Sequence, residues 1–182
     1  MRGWLKSLCV FIVVGQGIGC SPGLAHLTEG GKLDLERSAS AALSDFQADS
    51  RCTSLFQSSH AWAVFPKITK GAFGLGISDG NGQVYVGPDM VGYAKVSSVT
   101  IGPQVGGQSF SEIIFFKTRH ALDLFKVGGL TGQAGAGLAF GSAGEQKLSQ
   151  LGDHVVIYTA NHDGLILAAD IGGQSFDFAY RH

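Results

Sequence analysis

The sequence predicts an α+β domain in which N-terminal helices pack on a strongly curved, mainly antiparallel, barrel-like sheet. One helix near the N-terminus has an apolar face, formed at helical spacing by Leu35, Ala39, Leu43 and Phe46. Strand-like apolar runs separated by turn signals occupy most of the chain after this helix. Glycine accounts for 28 of 182 residues and is interleaved with Phe, Leu and Ile. This pattern indicates a sheet with close backbone approaches rather than a flexible linker.

The composition limits the classes of protein to be considered. A length of 182 residues suits a single domain. With 45% hydrophobic and 15% charged residues, the chain can bury a core and does not belong to the disordered class. The formal net charge is −1, so there is no overall basic field to bind nucleic acid. Any anionic lipid has to be held by a local cluster of cations.

Residues 1–19 are predicted to be a lipoprotein signal peptide. Arg2 and Lys6 precede a continuous apolar run, Leu8 to Val14, which is too short to cross a bilayer and has the proportions of a signal-peptide core. The next motif, Gly17-Ile18-Gly19-Cys20, resembles the bacterial lipobox, whose cysteine is acylated and becomes the mature N-terminus. We therefore expect Cys20 to carry the lipid anchor.

A second processing site stays open beside the lipobox, because Gly17 stands where leucine is usual. Gly23-Leu24-Ala25 is a small-x-small pattern that an ordinary signal peptidase can cut, here before His26. That cut predicts a soluble periplasmic or secreted protein. With the lipid anchor, Ser21 in place of an aspartate resembles the sorting pattern of outer-membrane lipoproteins and predicts that location.

The remaining elements follow in order. Residues 20–32 contain several glycines and are predicted to be a tether, which places the folded domain at 33–182. A helix is expected from Leu33, a short second helix over Thr53 to Gln57, and a third over His120 to Lys126 with Thr118 as its N-cap. The predicted strands are Ala61–Phe65, Phe73–Ile77, Val84–Val86, Val91–Ile101, Glu112–Phe116, Gln133–Phe140, His154–Tyr158 and Leu165–Asp170.

Turn signals and a short repeat complete the fold prediction. Asp79-Gly80-Asn81-Gly82 predicts a hairpin turn between two strands, and so does the later segment from Asn161 to Gly164. Val105 to Phe110 is echoed by Ile171 to Phe176, and both copies contain a Gly-Gly pair that predicts a bend. Corners of this kind let a sheet curl toward itself, as in a barrel.

One stretch of the chain resembles a known family. Ala63 to Gly76 is similar to the signature opening of the SYLF lipid-binding domain. The similarity continues through Gly80-Asn81-Gly82, Ile101 to Ser109 and Val156-Ile157-Tyr158, and it covers about residues 33–180. The resemblance implies binding to membrane phospholipid. The actin binding of some eukaryotic members is not carried over, because the export signal places this chain outside the cytoplasm.

The resemblance also implies where phospholipid is held. The basic residues that match the family's opening motif are Lys67 and Lys70, and Lys117 and Arg119 form a second small cluster. Ammonium and guanidinium groups can hold phosphate by charge-assisted hydrogen bonds. The alternative for each of the four is an ordinary solvated surface charge.

No motif argues for catalysis. The chain lacks a metalloprotease H-E-x-x-H, a Cys-x-x-Cys pair and a phosphate-binding P-loop. Cys52 is expected to be a buried helical thiol rather than a nucleophile. We therefore predict a non-catalytic phospholipid-binding envelope lipoprotein without metal or cofactor. The alternatives are a structural or adhesive envelope protein that binds another protein, and a hydrolase acting on lipid.

Overall fold

The structure, a computed structural model, describes residues 27–105, 108–128, 154–161, 164–167 and 174–181. These residues form three helices and six strands, and the predicted α+β class is confirmed. The elements in chain order are α1 (Glu29–Ala48), α2 (Ser50–Ser58), β1 (Ala61–Val86), β2 (Asp89–Val105), β3 (Gln108–Phe116), α3 (Arg119–Lys126), β4 (Val155–Asn161), β5 (Gly164–Leu167) and β6 (Gln174–Tyr180).

The described strands form one sheet in the order β5-β4-β3-β1-β2-β6, and every pairing in it is antiparallel. They do not close into a barrel. Strand β1 is central: its first part pairs with β3, from Ala61 opposite Phe116, and its second part pairs with β2. The β1–β3 register shifts between Phe65 and Ile68. Pro66 lies in this irregularity. Proline has no backbone N–H to donate, and at this position the β1–β3 ladder loses no hydrogen bond by it.

Two helices cover one face of the sheet. Thr28 caps the start of α1 by accepting a hydrogen bond from the Gly31 N–H, and Asp49 separates α1 from α2 and caps the latter. The predicted apolar face of α1 is buried at Leu35, Ala39 and Phe46, whereas Leu43 is half-buried. This face packs, together with the α2 residue Cys52, on the residues of β1 and β3 that point to the same side, Trp62, Val64, Ile113 and Phe115.

The opposite face of the sheet is covered by α3. The Thr118 hydroxyl accepts a hydrogen bond from the Ala121 N–H, so the predicted N-cap is confirmed. Phe125 is fully buried, with its ring centroid 4.9 Å from that of Phe116 and 5.1 Å from that of Phe176. The helix thereby lies between β3 and β6, which are separated in the sheet order by β1 and β2.

Glycines in β1 serve packing and not a turn. The predicted hairpin at Asp79–Gly82 is wrong, since these residues lie inside β1 and the chain turns after Val86 instead, where Gly87 has a φ of 58°. A Cβ on Gly82 would lie 2.5 Å from the Val64 carbonyl oxygen and 2.6 Å from the Phe65 ring. The strand therefore bends back so that its second part lies against its first part, and only glycine permits this approach.

Several sequence predictions concern other parts of the chain. The signal peptide, Cys20, the strand Gln133–Phe140 and both Gly-Gly corners lie outside the described residues. Helix α1 begins at Glu29 rather than at Leu33, and α2 begins at Ser50 rather than at Thr53. The pairing of Asn161 with Gly164 agrees with the second predicted hairpin. None of the described helices is long and apolar enough to span a membrane.

Candidate functional site

The predicted cationic residues do not form one cluster. Lys67 is exposed at the irregularity of β1, close to the point where Phe65 pairs with Glu112 of β3. Lys117 is exposed just after the far end of β3. Glu112 and Lys117 are roughly 17 Å apart along an extended strand, at 3.3–3.4 Å per residue. The backbone of Lys70 pairs with Gln108 at the end of the β1–β3 ladder, and its side chain is outside the described part of the structure.

Arg119, the first residue of α3, is exposed and partly neutralised. Its Nε lies 3.7 Å from Oδ2 of Asp123 on the next turn, and both side chains are exposed. An exposed pair of this kind contributes little to stability and leaves the guanidinium open to another anion. Lys117 is exposed beside it, and its backbone N–H donates to the His154 carbonyl oxygen. Lys117 and Arg119 are thus both exposed and two residues apart in the chain, beyond the end of β3 that is far from Lys67.

A group of residues that the sequence analysis missed lies at the other end of α3. Lys126 Nζ is 5.3 Å from the ring centroid of Phe178 and 5.1 Å from that of Tyr180, and the two rings pack edge to face at 4.9 Å. Val127 and Tyr180 are the most exposed of the large apolar and aromatic side chains described, at 78% and 60%. We call Lys126, Val127, Phe178 and Tyr180 the α3–β6 patch.

The position of this patch follows from the local sequence. Alternate residues of β6 point to the same side, so the row Phe176, Phe178, Tyr180 runs from the buried core out to the surface. Phe125 fixes the last turn of α3 against Phe176, which places Lys126 over the outer two rings. Gly128, with a φ of 70°, ends the helix.

The electrostatics of the patch favour an anionic partner. Within the described ranges no ion pair joins Lys126 to an acidic side chain, and its contacts are the faces of the two aromatic rings. Arg119 lies on the same side of α3 as Lys126, because seven residues make nearly two turns, about 10 Å along the axis. Arg181, although exposed and next to Tyr180 in sequence, lies on the other side of the sheet, where its charge acts on Tyr85 near α1, so it does not belong to the patch.

Metal binding and thiol reactivity can be assessed in the described residues. They contain no group of three or more His, Cys, Asp or Glu side chains that could hold a metal ion. Cys52 is buried in α2, as expected, and burial raises the pKa of its thiol to about 11. A thiol that stays protonated near neutral pH is a poor nucleophile.

Comparisons with known proteins add no relative. No protein-family model matches the chain, and no curated protein matches it. The similarity of Ala63 to Gly76 to the SYLF domain therefore stays a prediction from the residues themselves.

Proposed function

We propose that this chain is a non-catalytic phospholipid-binding protein that docks on a membrane surface through the α3–β6 patch. The observation that carries the proposal is the Lys126 ammonium lying over Phe178 and Tyr180 beside the highly exposed Val127. Aromatic rings with one polar end, together with long cationic side chains, are the groups that proteins place at the level of lipid headgroups.

The patch would meet a bilayer with two kinds of contact. Val127 and the Tyr180 ring enter the boundary between headgroups and acyl chains, and Lys126 of the patch, with Arg119 on the same side of α3, binds phosphates. Each cation near an anionic surface contributes roughly 1 kcal/mol. Full burial of a valine side chain contributes about 1.5–3 kcal/mol, and Val127 is the side chain with most to gain. The resulting attachment is weak and reversible.

Attachment through the patch alone is weak, so the chain needs a second anchor, which an acylated Cys20 would supply. Acyl chains on Cys20 would hold the domain at the outer membrane of a bacterial envelope, and the patch would orient it on the lipid.

We also propose that the sheet is curved strongly enough to be barrel-like. Support for the curvature comes from the close approach of Gly80 to the Lys67 carbonyl oxygen, where a Cβ would lie 2.8 Å away.

The test is vesicle flotation of the mature chain with Cys20→Ala. We expect flotation with vesicles containing phosphatidylglycerol and less with phosphatidylcholine alone, with a salt-sensitive loss in Lys126→Ala. Val127→Ser should also weaken flotation, whereas Leu33→Ser, a change at a 55%-exposed leucine on α1, should not.

The same experiment distinguishes the competing assignments. Lys67→Ala is the matched control for Lys126→Ala, since both remove one lysine. If flotation were lost in Lys67→Ala and not in Lys126→Ala, the lipid-binding site would lie at the lysines of the SYLF-like motif. That result would overturn the assignment to the α3–β6 patch. A chain that floats with no vesicle composition would overturn lipid binding and favour the alternative of an envelope protein that binds another protein.

A further inference from the structure

A carboxyl group is buried on the α3 side of the sheet. Glu112 of β3 is 1% exposed and lies between Phe65 of β1 and Thr159 of β4 in the sheet. Its described polar partner is Gln174, whose Nε2 donates to Glu112 Oε2 at 3.4 Å. This contact does not follow the ladder, because β3 and β6 are separated by β1 and β2. It crosses the space that the bent sheet encloses.

The hydrogen bonds of this pair are incomplete. Glu112 Oε1 and Gln174 Oε1 are both buried and have no partner in the structure. As a carboxylate, Glu112 can only accept, so its Oε1 and the Gln174 Oε1 are two buried acceptors that no donor satisfies. As a carboxylic acid, Glu112 has an O–H group, which is the donor that the pair lacks. A single proton therefore completes the pair.

Among the described residues, no charge next to Glu112 holds it ionised. Its neighbours on β1, β4 and β6 are Phe65, Thr159 and Gln174, and no charged side chain of the described residues contributes to its electrostatic environment. Burial raises the pKa of the carboxyl to about 7, and the hydrogen bond from Gln174 lowers it by less. Across the same space Phe65 of β1 faces Phe176 of β6, with ring centroids 6.1 Å apart.

We propose that Glu112 and Gln174 form a proton-controlled clasp that fastens β6 to β3 and thereby regulates the α3–β6 patch. The protonated pair holds the first residue of β6 in the interior. Ionisation of Glu112 leaves a buried charge that is relieved when β6 moves away. The regulation of docking rests on the proposed lipid-binding function, because β6 carries Phe178 and Tyr180. The clasp itself does not, because it is inferred from the contact between Glu112 and Gln174 alone.

The direction of the pH effect follows from the raised pKa. The clasp contributes fully below the ordinary glutamate pKa of 4.5 and is lost as the pH rises through about 7. Amide hydrogen exchange in β6, corrected for the intrinsic rate, should therefore be faster on the order of tenfold at about pH 8 than at about pH 5.5. Glu112→Gln keeps the shape and removes the titration, so its β6 amides should lose this difference.

A second variant tests the clasp independently, so the test does not depend on the folding of Glu112→Gln. Gln174→Met keeps the acid but removes its partner, so its β6 amides should exchange fast at both pH values. Equal pH dependence in the wild-type protein and Glu112→Gln would overturn the clasp. Flotation with phosphatidylglycerol vesicles should weaken toward pH 8 in the wild-type protein more than in Glu112→Gln, and equal weakening would overturn the regulation of docking. Absence of flotation at any pH would refute the proposed function, while the exchange result still decides the clasp.

Discussion

The approach of Gly82 to the first part of β1 predicts a large effect for a single methyl group. In Gly82→Ala the new Cβ would lie 2.5 Å from the Val64 carbonyl oxygen and 2.6 Å from a Phe65 ring carbon. Carbon atoms normally approach to about 3.5 Å, so the ring has to move by roughly 1 Å. Both neighbours are fully buried in β1, and a shift of either disturbs the ladder to β3.

The expected cost lies at the upper end of the range for an overpacked core. Such insertions destabilise by typically 1–3 kcal/mol, and we expect about 3 kcal/mol here because a backbone oxygen is involved. For a chain of this size the loss lowers Tm by roughly 6–12 °C. The assay is urea unfolding followed by the fluorescence of Trp62, which is buried against Phe56 and Tyr85.

Gly30→Ala is the matched control, because a Cβ there meets nothing within 4 Å and the residue is in α1. It should stabilise the protein by up to ~1 kcal/mol through helix propensity. If Gly82→Ala were as stable as the parent, the two parts of β1 would not lie in contact. That result would contradict the bend in β1 and also the proposed strong curvature of the sheet.

Three further outcomes test the packing of the helices. Phe125→Ala should destabilise by about 3–5 kcal/mol, since its ring contacts Phe116 and Phe176, and a loss below 1 kcal/mol in urea unfolding would contradict that burial. Thr118→Ala should cost ~1 kcal/mol by the same measurement through loss of the N-cap of α3, and Thr118→Ser should restore most of it. The Cys52 thiol, with its pKa raised to about 11, should resist a thiol reagent at neutral pH in the folded mature Cys20→Ala protein and react in urea. Prompt modification of the folded protein would show that the Cys52 side of α2 is not packed against α1 and the sheet.

Local patterns account for the parts of the fold that the sequence predicts well. The apolar face of α1 and the capped helix α3 depend on spacings within a few turns, and they are confirmed. The hairpin at Asp79–Gly82 is wrong because Asp-Gly and Asn-Gly pairs signal a turn only when no distant segment competes. Here the space beside Val64 and Phe65 requires glycine for a packing reason that no local pattern carries.

The candidate site is harder to predict because its members are far apart in sequence. Lys126 and Tyr180 belong to different elements, and neither occurs in a motif with a known mechanism. The alternation Phe176, Phe178, Tyr180 in the sequence indicates a row on one face of a strand, but not that the row reaches the surface. Glu112 is recognisable in the sequence, because an acidic residue is unusual at the start of a predicted buried strand such as Glu112–Phe116.

The central place of β1 also determines how the chain can fold. Its first residue, Ala61, pairs with Phe116, and the sheet is completed only when β6, near the C-terminus, pairs with β2. Domains dominated by such non-local pairings fold in milliseconds to seconds, more slowly than helical bundles. Helix α1, with 20 residues, is long enough to form early, but its buried face has no surface to pack on until β1 and β3 meet. A refolding experiment should therefore show helical circular dichroism appearing before the change in Trp62 fluorescence.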